Sequence, residues 1–189
     1  MGERLNTLFQ RYGKRALLFF LMLLLAFFLP PLPPEFRDLH AGSSLILTDR
    51  HGHPLRRGLS SRVGVNRWVS LSELPPHLVS SVLTAEDGRF YLHPGIDPAA
   101  ICRAIYHNFR AGQIISGAST ITQQLQRTLA PPVPRDLPHK LKEAYWALRL
   151  DLHYSKAEIL EAYLNRVSLG PSVYGVEEAS RYYFDKPAS

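Results

Sequence analysis

From Ser72 onward the chain is punctuated by helix start and stop signals at short intervals, and these confine it to a set of short helices packed around one core. Pro75 and Pro76 open a helix that ends at Glu86, because proline at the first helical position lacks only an N–H that would be unpaired there anyway. Asp97 before Pro98 is a second start, and Gly112 is its stop. A third helix, STITQQLQRTL over 119–129, carries Thr120 and Gln123 at capping-box spacing, turns Ile121 and Leu125 inward, and is ended by Pro131, Pro132 and Pro134. A fourth runs from Pro138 to about 151. The capping box from Ser155 to Glu158 opens a fifth, whose Ile159, Leu160, Tyr163 and Leu164 pack inward. After the turn Leu169-Gly170-Pro171, Val176, Ala179 and Tyr183 stripe a last helix over 176–184. Upstream, residues 44–69 read as a small β element, with SLILTD as a strand, a turn over 49–52 and a second extended piece over 63–69. The expected class is mainly α with a small N-terminal β element, in one domain over 44–189 with an appendage before it.

The appendage has its own logic. Residues 1–15 form a basic tail, with Arg4, Arg11, Lys14 and Arg15 against Glu3 alone, and 16–29 then lack any polar side chain. Fourteen helical residues reach only about 21 Å, short of a hydrocarbon core of roughly 30 Å, so the preceding turn and the Pro-rich spacer up to Pro34 must help them span. No small-x-small cleavage site follows. The expectation is one transmembrane helix, an uncleaved signal anchor over 16–34, with the basic tail in the cytoplasm and the domain outside. The net charge of +6 asks for an anionic partner. Acidic lipid or a phosphorylated substrate fits that charge, and an exported domain sets nucleic acid aside. The lone Cys102 permits no intramolecular disulfide and, within ICRAIYHNF, reads as a small buried hydrophobe. No HExxH spacing and no Gly-rich phosphate loop occur, so no protein-bound metal or nucleotide cofactor is expected.

The chemistry gathers at AEDGRFYLHPG, 85–95. Val79, Val82, Leu83 and Glu86 fall at i, i+3, i+4 and i+7, so Glu86 projects from an apolar stripe, where burial would raise its pKa towards that of a general base. The structural alternative is a helix-end carboxylate paired to an Arg or Lys. On the fourth helix, Glu143 shares a face with Trp146, Ala147 and Leu150, while Leu141, Ala144, Tyr145 and Leu148 make another, so this helix should be buried on most sides. A carboxylate there is costly unless it lines a cleft or is paired, and Lys140 is the i, i+3 partner. The hydroxyl-rich start at Ser119 and Thr120, with Arg127 two turns on, suits an anion. Ile101, Ile105 and Phe109 line one face of the second helix. The segment QIISGA, 113–118, short and holding a glycine, reads as a mobile loop, and Phe109, Ile114 and Ile115 are expected to pack in the core, with lipid contact as the alternative.

Five stretches, in order, resemble the peptidoglycan glycosyltransferases, the glycan-polymerising domains of class A penicillin-binding proteins and monofunctional transglycosylases. They are AEDGRFYLHPG (Glu86, Asp87, Phe90, His93, Gly95), GASTITQQLQRT (Gly117, Ser119, Thr120, Gln123, Gln124, Arg127), HKLKE (His139, Lys140, Glu143), SKAEILEAYLN (ending at Asn165) and GPSVYGVEEASRYYFDK over 170–186. ISGAST and Arg127 look most like the branch containing penicillin-binding protein one-C. The resemblance implies a lysozyme-like helical domain at the outer face of the cytoplasmic membrane, acting on lipid II and a lipid-linked glycan chain alongside other cell-wall synthesis proteins. It implies Glu86 as catalytic base and Glu143 as a second essential glutamate. Inversion at the sugar would release undecaprenyl pyrophosphate, neutralised by Arg127, Lys140, Ser119 and Thr120. Asp87, Phe90, His93, Gly117, Gln123, Gln124, His139 and Asn165 complete the implied substrate-binding set. A divalent cation on the substrate pyrophosphate is compatible with this.

Departures from the family pattern are Ala118, Arg127, Thr128, His139 and Asp185. His139 stands for an arginine, exchanging a permanent cation for one that titrates near neutrality. The family domain also continues beyond YFDK, so the domain is expected to be incomplete at its C-terminus. The competing readings are a non-catalytic protein that binds lipid II or the cell-wall machinery, and a lysozyme-like enzyme that cleaves glycan strands.

Overall fold

The computed structural model describes residues 12–13, 15–23, 25, 27, 30–40, 46–51, 54–57, 67–134 and 136–189. The chain divides into two compact units, Met1–Pro33 and Pro34–Ser189. In the first, residues 15–23 are helical and exposed, whereas 30–33 are not helical. Among the described residues no helix is long and apolar enough to cross a membrane. This corrects two expectations, the transmembrane helix over 16–34 and the single-pass placement of the domain outside the cytoplasmic membrane. The physical reason lies in Pro30 and Pro31, which lack a donor and do not continue a helix: 30–33 are not helical, and the apolar run without them is shorter than a bilayer core. Most of the basic tail over 1–15 lies outside the described residues.

The second unit is mainly helical. Its α-helices among the described residues are α1 (Pro76–Glu86), α2 (Pro98–Ala111), α3 (Ile121–Leu129), α4 (Leu137–His153), α5 (Lys156–Leu164) and α6 (Val176–Phe184), with one small antiparallel ribbon before α1 and another between α5 and α6. β1 (Ile46–Thr48) pairs with β2 (Pro54–Arg57), and β3 (Ser168–Gly170) with β4 (Val173–Tyr174). The expected second strand over 63–69 is not found: 67–69 carry no strand and 63–66 lie outside the described residues. β1 pairs instead with the residues directly after the 49–52 turn, the shortest antiparallel return available to it.

The caps form as the sequence demands. Thr120 and Gln123 exchange reciprocal bonds at the start of α3, Ser155 and Glu158 do so before α5, Asp97 accepts from Ala99 and Ala100, and Gly112 closes α2 in the left-handed region. α3 is the hub, packed against α4 and α5, with Ile121 and Leu125 fully buried. The segment before the β ribbons is tied onto α4 and α5. Phe36 stands edge-on to Trp146 at 5.5 Å, Tyr154 donates to its carbonyl at 2.8 Å, and Arg166 donates to the Leu39 carbonyl at 3.0 Å.

Three packing expectations are corrected. α4 buries Glu143, Ala147 and Leu150 on one face and Arg149 beside Tyr145 on another, keeps 144–146 and 148 half-buried, and leaves Leu137 and Leu141 exposed. α2 approaches the core through the small Ala100 and Ala104, which turns Ile105 and Phe109 outward, and Ile114, Ile115 and Cys102 are exposed as well. On α6, Val176 and Ala179 are buried but Tyr183 is not. Glu177 and Glu178 are buried there as well, and Glu177 accepts from Arg181 and from the Ala188 N–H at 2.7 Å, tying 188 to α6.

Candidate active site

The turn after α1 is held rigid from beneath. The Asp87 carboxylate accepts the Ile121 N–H at 3.0 Å and faces His93 Nε2 at 3.0 Å, with both side chains nearly inaccessible. The start of α3, expected to receive an external anion, is therefore occupied by the protein's own carboxylate. Thr120 donates its hydroxyl to the Gly95 carbonyl at 2.6 Å. Gly95 has φ +80° and packs so tightly that an added Cβ would lie 2.5 Å from the Ala147 carbonyl oxygen. Lys156 donates to the His93 carbonyl at 2.7 Å and to Asp151 at 2.6 Å, and its ammonium lies 4.5 Å from the centre of the buried Phe90 ring. Asp87, Phe90, His93 and Thr120 thus lie in the interior, where they shape the turn.

What the turn presents outward is Glu86, the last residue of α1. It is exposed, so the desolvation expected from its stripe is absent: Val79, Val82 and Leu83 are only half-buried, and no residue of α1 is buried. The Glu86 carboxylate accepts from Gln124 Nε2 at 2.9 Å. Gln124, Arg127 and Thr128 are the residues of α3 that escape burial, and Gln124 and Arg127, three apart, share a helix face.

Further along that face stands a charged group built across two helices. Glu143, its side chain 11% exposed, accepts from Lys140 Nζ at 2.6 Å and lies 3.8 Å from Arg127 Nε. Lys140 also donates to Ser119 Oγ at 2.8 Å. Two cations against one carboxylate leave net positive charge. With the Lys140 and Arg127 side chains 44% and 41% exposed, that charge is open to an incoming anion. His139 is engaged elsewhere, its Nδ1 on Asp136 at 2.6 Å. Gly117 is exposed with open space around it, and Gln123 is consumed by its cap.

Asn165 is fully buried, exchanging bonds of 2.8 Å with both the N–H and the carbonyl of Val69. Beside it, Glu161 accepts from Trp68 and the Leu71 N–H. These donors outweigh the upward push of burial and hold the Glu161 carboxyl below its ordinary range. Both residues clamp the segment before α1 onto α5.

Tyr163 is the residue whose part sequence reasoning missed, having assigned it to the core alone. It is buried, as expected, but its hydroxyl donates to Gln124 Oε1 at 3.2 Å. Burial first, and then the negative charge of Glu86, push its phenol up to about 12, with Arg127 opposing. The available signal was generic: a buried tyrosine hydroxyl needs a partner.

The arrangement is a carboxylate exposed at one end of an α3 strip and a net cationic group along it. Among the described residues no group of three His, Cys, Asp or Glu side chains is placed to hold a metal ion.

The family model described as Transglycosylase matches residues 52–189, most of the chain. Penicillin-binding protein 1A of Aquifex aeolicus is 42% identical over 130 residues, 68% of this chain and 18% of its own length. The biosynthetic peptidoglycan transglycosylases of Pectobacterium carotovorum and Shewanella amazonensis are 40% and 46% identical over 77% and 65% of this chain. The chain spans about a fifth of the penicillin-binding relative and 60% and 50% of the two transglycosylases.

Proposed function

The chain belongs to the transglycosylase family, and from that premise we propose that it is a peptidoglycan glycosyltransferase that polymerises lipid II. The observation that supports this most is the shared α3 face, which puts the exposed Glu86 and the Arg127–Glu143–Lys140 group along one open strip. In this reading Glu86 takes the proton from the acceptor sugar 4-hydroxyl. The freed oxygen attacks the donor's anomeric carbon, the bond to pyrophosphate breaks with inversion, and undecaprenyl pyrophosphate leaves.

Pyrophosphate is already a good leaving group, so what the step needs at that end is charge neutralisation rather than a proton. Arg127 and Lys140 supply it. Glu143 keeps the two like charges together before substrate arrives and sets where their heads point. A divalent cation would be carried by the substrate pyrophosphate rather than by a protein motif, so polymerisation with and without EDTA measures its contribution. The partners implied by this chemistry are the lipid-linked glycan chain and the other proteins of cell-wall synthesis.

The test is incubation of the detergent-dispersed protein with labelled lipid II. Glycan polymer is the expected product. Shortened muropeptides would instead mark a glycan-cleaving enzyme, and unchanged lipid II would mark a binding protein without turnover.

A further inference from the structure

Glu86 has a problem that its neighbours solve. A general base must hold one orientation towards its proton, yet Glu86 sits exposed at the end of a helix with no buried residue. The hydrogen bond that restrains it comes from Gln124, whose amide can present either an acceptor oxygen or a donor NH2. Only the NH2 can face a carboxylate favourably. The carboxylate thus sets which way the amide faces, and how firmly it stays there depends on what holds the amide's oxygen.

We propose that Tyr163 is a positioning residue: its hydroxyl donates to Gln124 Oε1 at 3.2 Å, anchoring the amide whose Nε2 donates to Glu86 at 2.9 Å and holds the base in line. The inference rests on the reading of Glu86 as the base. Tyr163 is 2% exposed, so its hydroxyl has to find its partner inside the protein. The reversed amide would set two acceptor oxygens, of Gln124 and Glu86, against each other. The phenol stays protonated up to about 12 and so remains a donor wherever the enzyme works. At 3.2 Å the bond is longer than the usual O–H···O distance of about 2.7–2.8 Å, which sets the expected effect at several-fold rather than orders of magnitude.

The test uses the full chain, steady-state polymerisation of lipid II and the substitution Tyr163→Phe, which removes only the hydroxyl. kcat is expected to fall about 3- to 10-fold with KM little changed. The acidic limb of the pH–rate profile should move to higher pH, because a carboxylate that loses a firmly held donor is easier to protonate. Gln124→Ala should reproduce both effects, and adding Tyr163→Phe to it should change nothing further. An unaltered kcat and pH profile in Tyr163→Phe, or a full additional loss in the double variant, overturns the proposal. Glu86→Gln keeps the two readings apart. If it retains turnover, the base assignment itself fails; if it is inactive while Tyr163→Phe behaves as the unmodified protein, only the positioning role fails. A measurement on the unmodified protein guards against a variant that does not fold. Exchange of the Gln124 side-chain amide protons should be slower than in a free glutamine amide, and exchange at the free rate overturns the proposal.

Discussion

Glu86 and Glu143 have the same ionisable group and different surroundings, and the proposed mechanism gives them different work accordingly. Glu86 is exposed and accepts a neutral hydrogen bond from Gln124, whereas Glu143 is nearly buried and is engaged by two cations. Glu86→Gln should therefore leave lipid II binding intact while single-turnover polymerisation at saturating substrate falls by about 10² to 10⁴, the usual contribution of a general base. Arg127→Ala and Lys140→Ala should act on binding instead. Each leaves Glu143 matched by a single cation and removes the net positive charge. The loss of affinity for lipid II, measured by equilibrium binding, should be largest at low ionic strength, because salt already screens such contacts. Affinity unchanged at low salt would make them surface charges only.

At the scale of elements, the site depends on how the 87–95 turn is fastened between α1, α3 and α5. Asp97 caps α2 directly after that turn, accepting from Ala99 and Ala100 and lying 3.5 Å from Arg89. Asp97→Ala should cost about 1 kcal/mol, seen as a lower denaturation midpoint at unchanged m-value. Because Arg89 reaches back from the turn to this cap, the same variant should also lower turnover modestly without altering its pH profile.

For the whole molecule, two hydrogen-bonded carboxylates, the buried Asp97 and the half-buried Glu161, contribute to the acid limit. Burial pushes Asp97 up, but the Ala100 N–H, Arg89 and the Ala99 N–H together outweigh it and hold the carboxyl below its ordinary value of 3.8. Glu161, gripped by Leu71, Trp68 and His40, is likewise held below 4.5. A carboxyl with a lowered folded pKa contributes stability that is complete above its unfolded pKa and is lost as pH falls through the folded one. Thermal stability should therefore be flat from neutrality to about pH 5 and drop below about 4.5. Asp97→Asn together with Glu161→Gln should flatten that acid slope while lowering stability at neutral pH. An acid slope unchanged by both substitutions would place the linkage elsewhere.

What the sequence determined by itself is what is local. Capping at Thr120 and Ser155 involves partners three residues away, the Lys140–Glu143 pair spans one helical turn, and the order of short helices is set by prolines and caps that act on their own neighbours. The tertiary structure alone decided everything that depends on which face meets which. The spacing of Val79, Val82, Leu83 and Glu86 could name a stripe but not whether anything covers it, and too little does for Glu86 to be desolvated. The helix start at Ile121 could be read as an anion site, but not that Asp87, thirty-four residues earlier, already fills it. The apolar run over 16–29 carried its own length, yet the proline segment that was meant to extend it does not continue the helix. Tyr163 reached Gln124 only because α3 and α5 pack side by side, a contact across thirty-nine residues that no periodicity records.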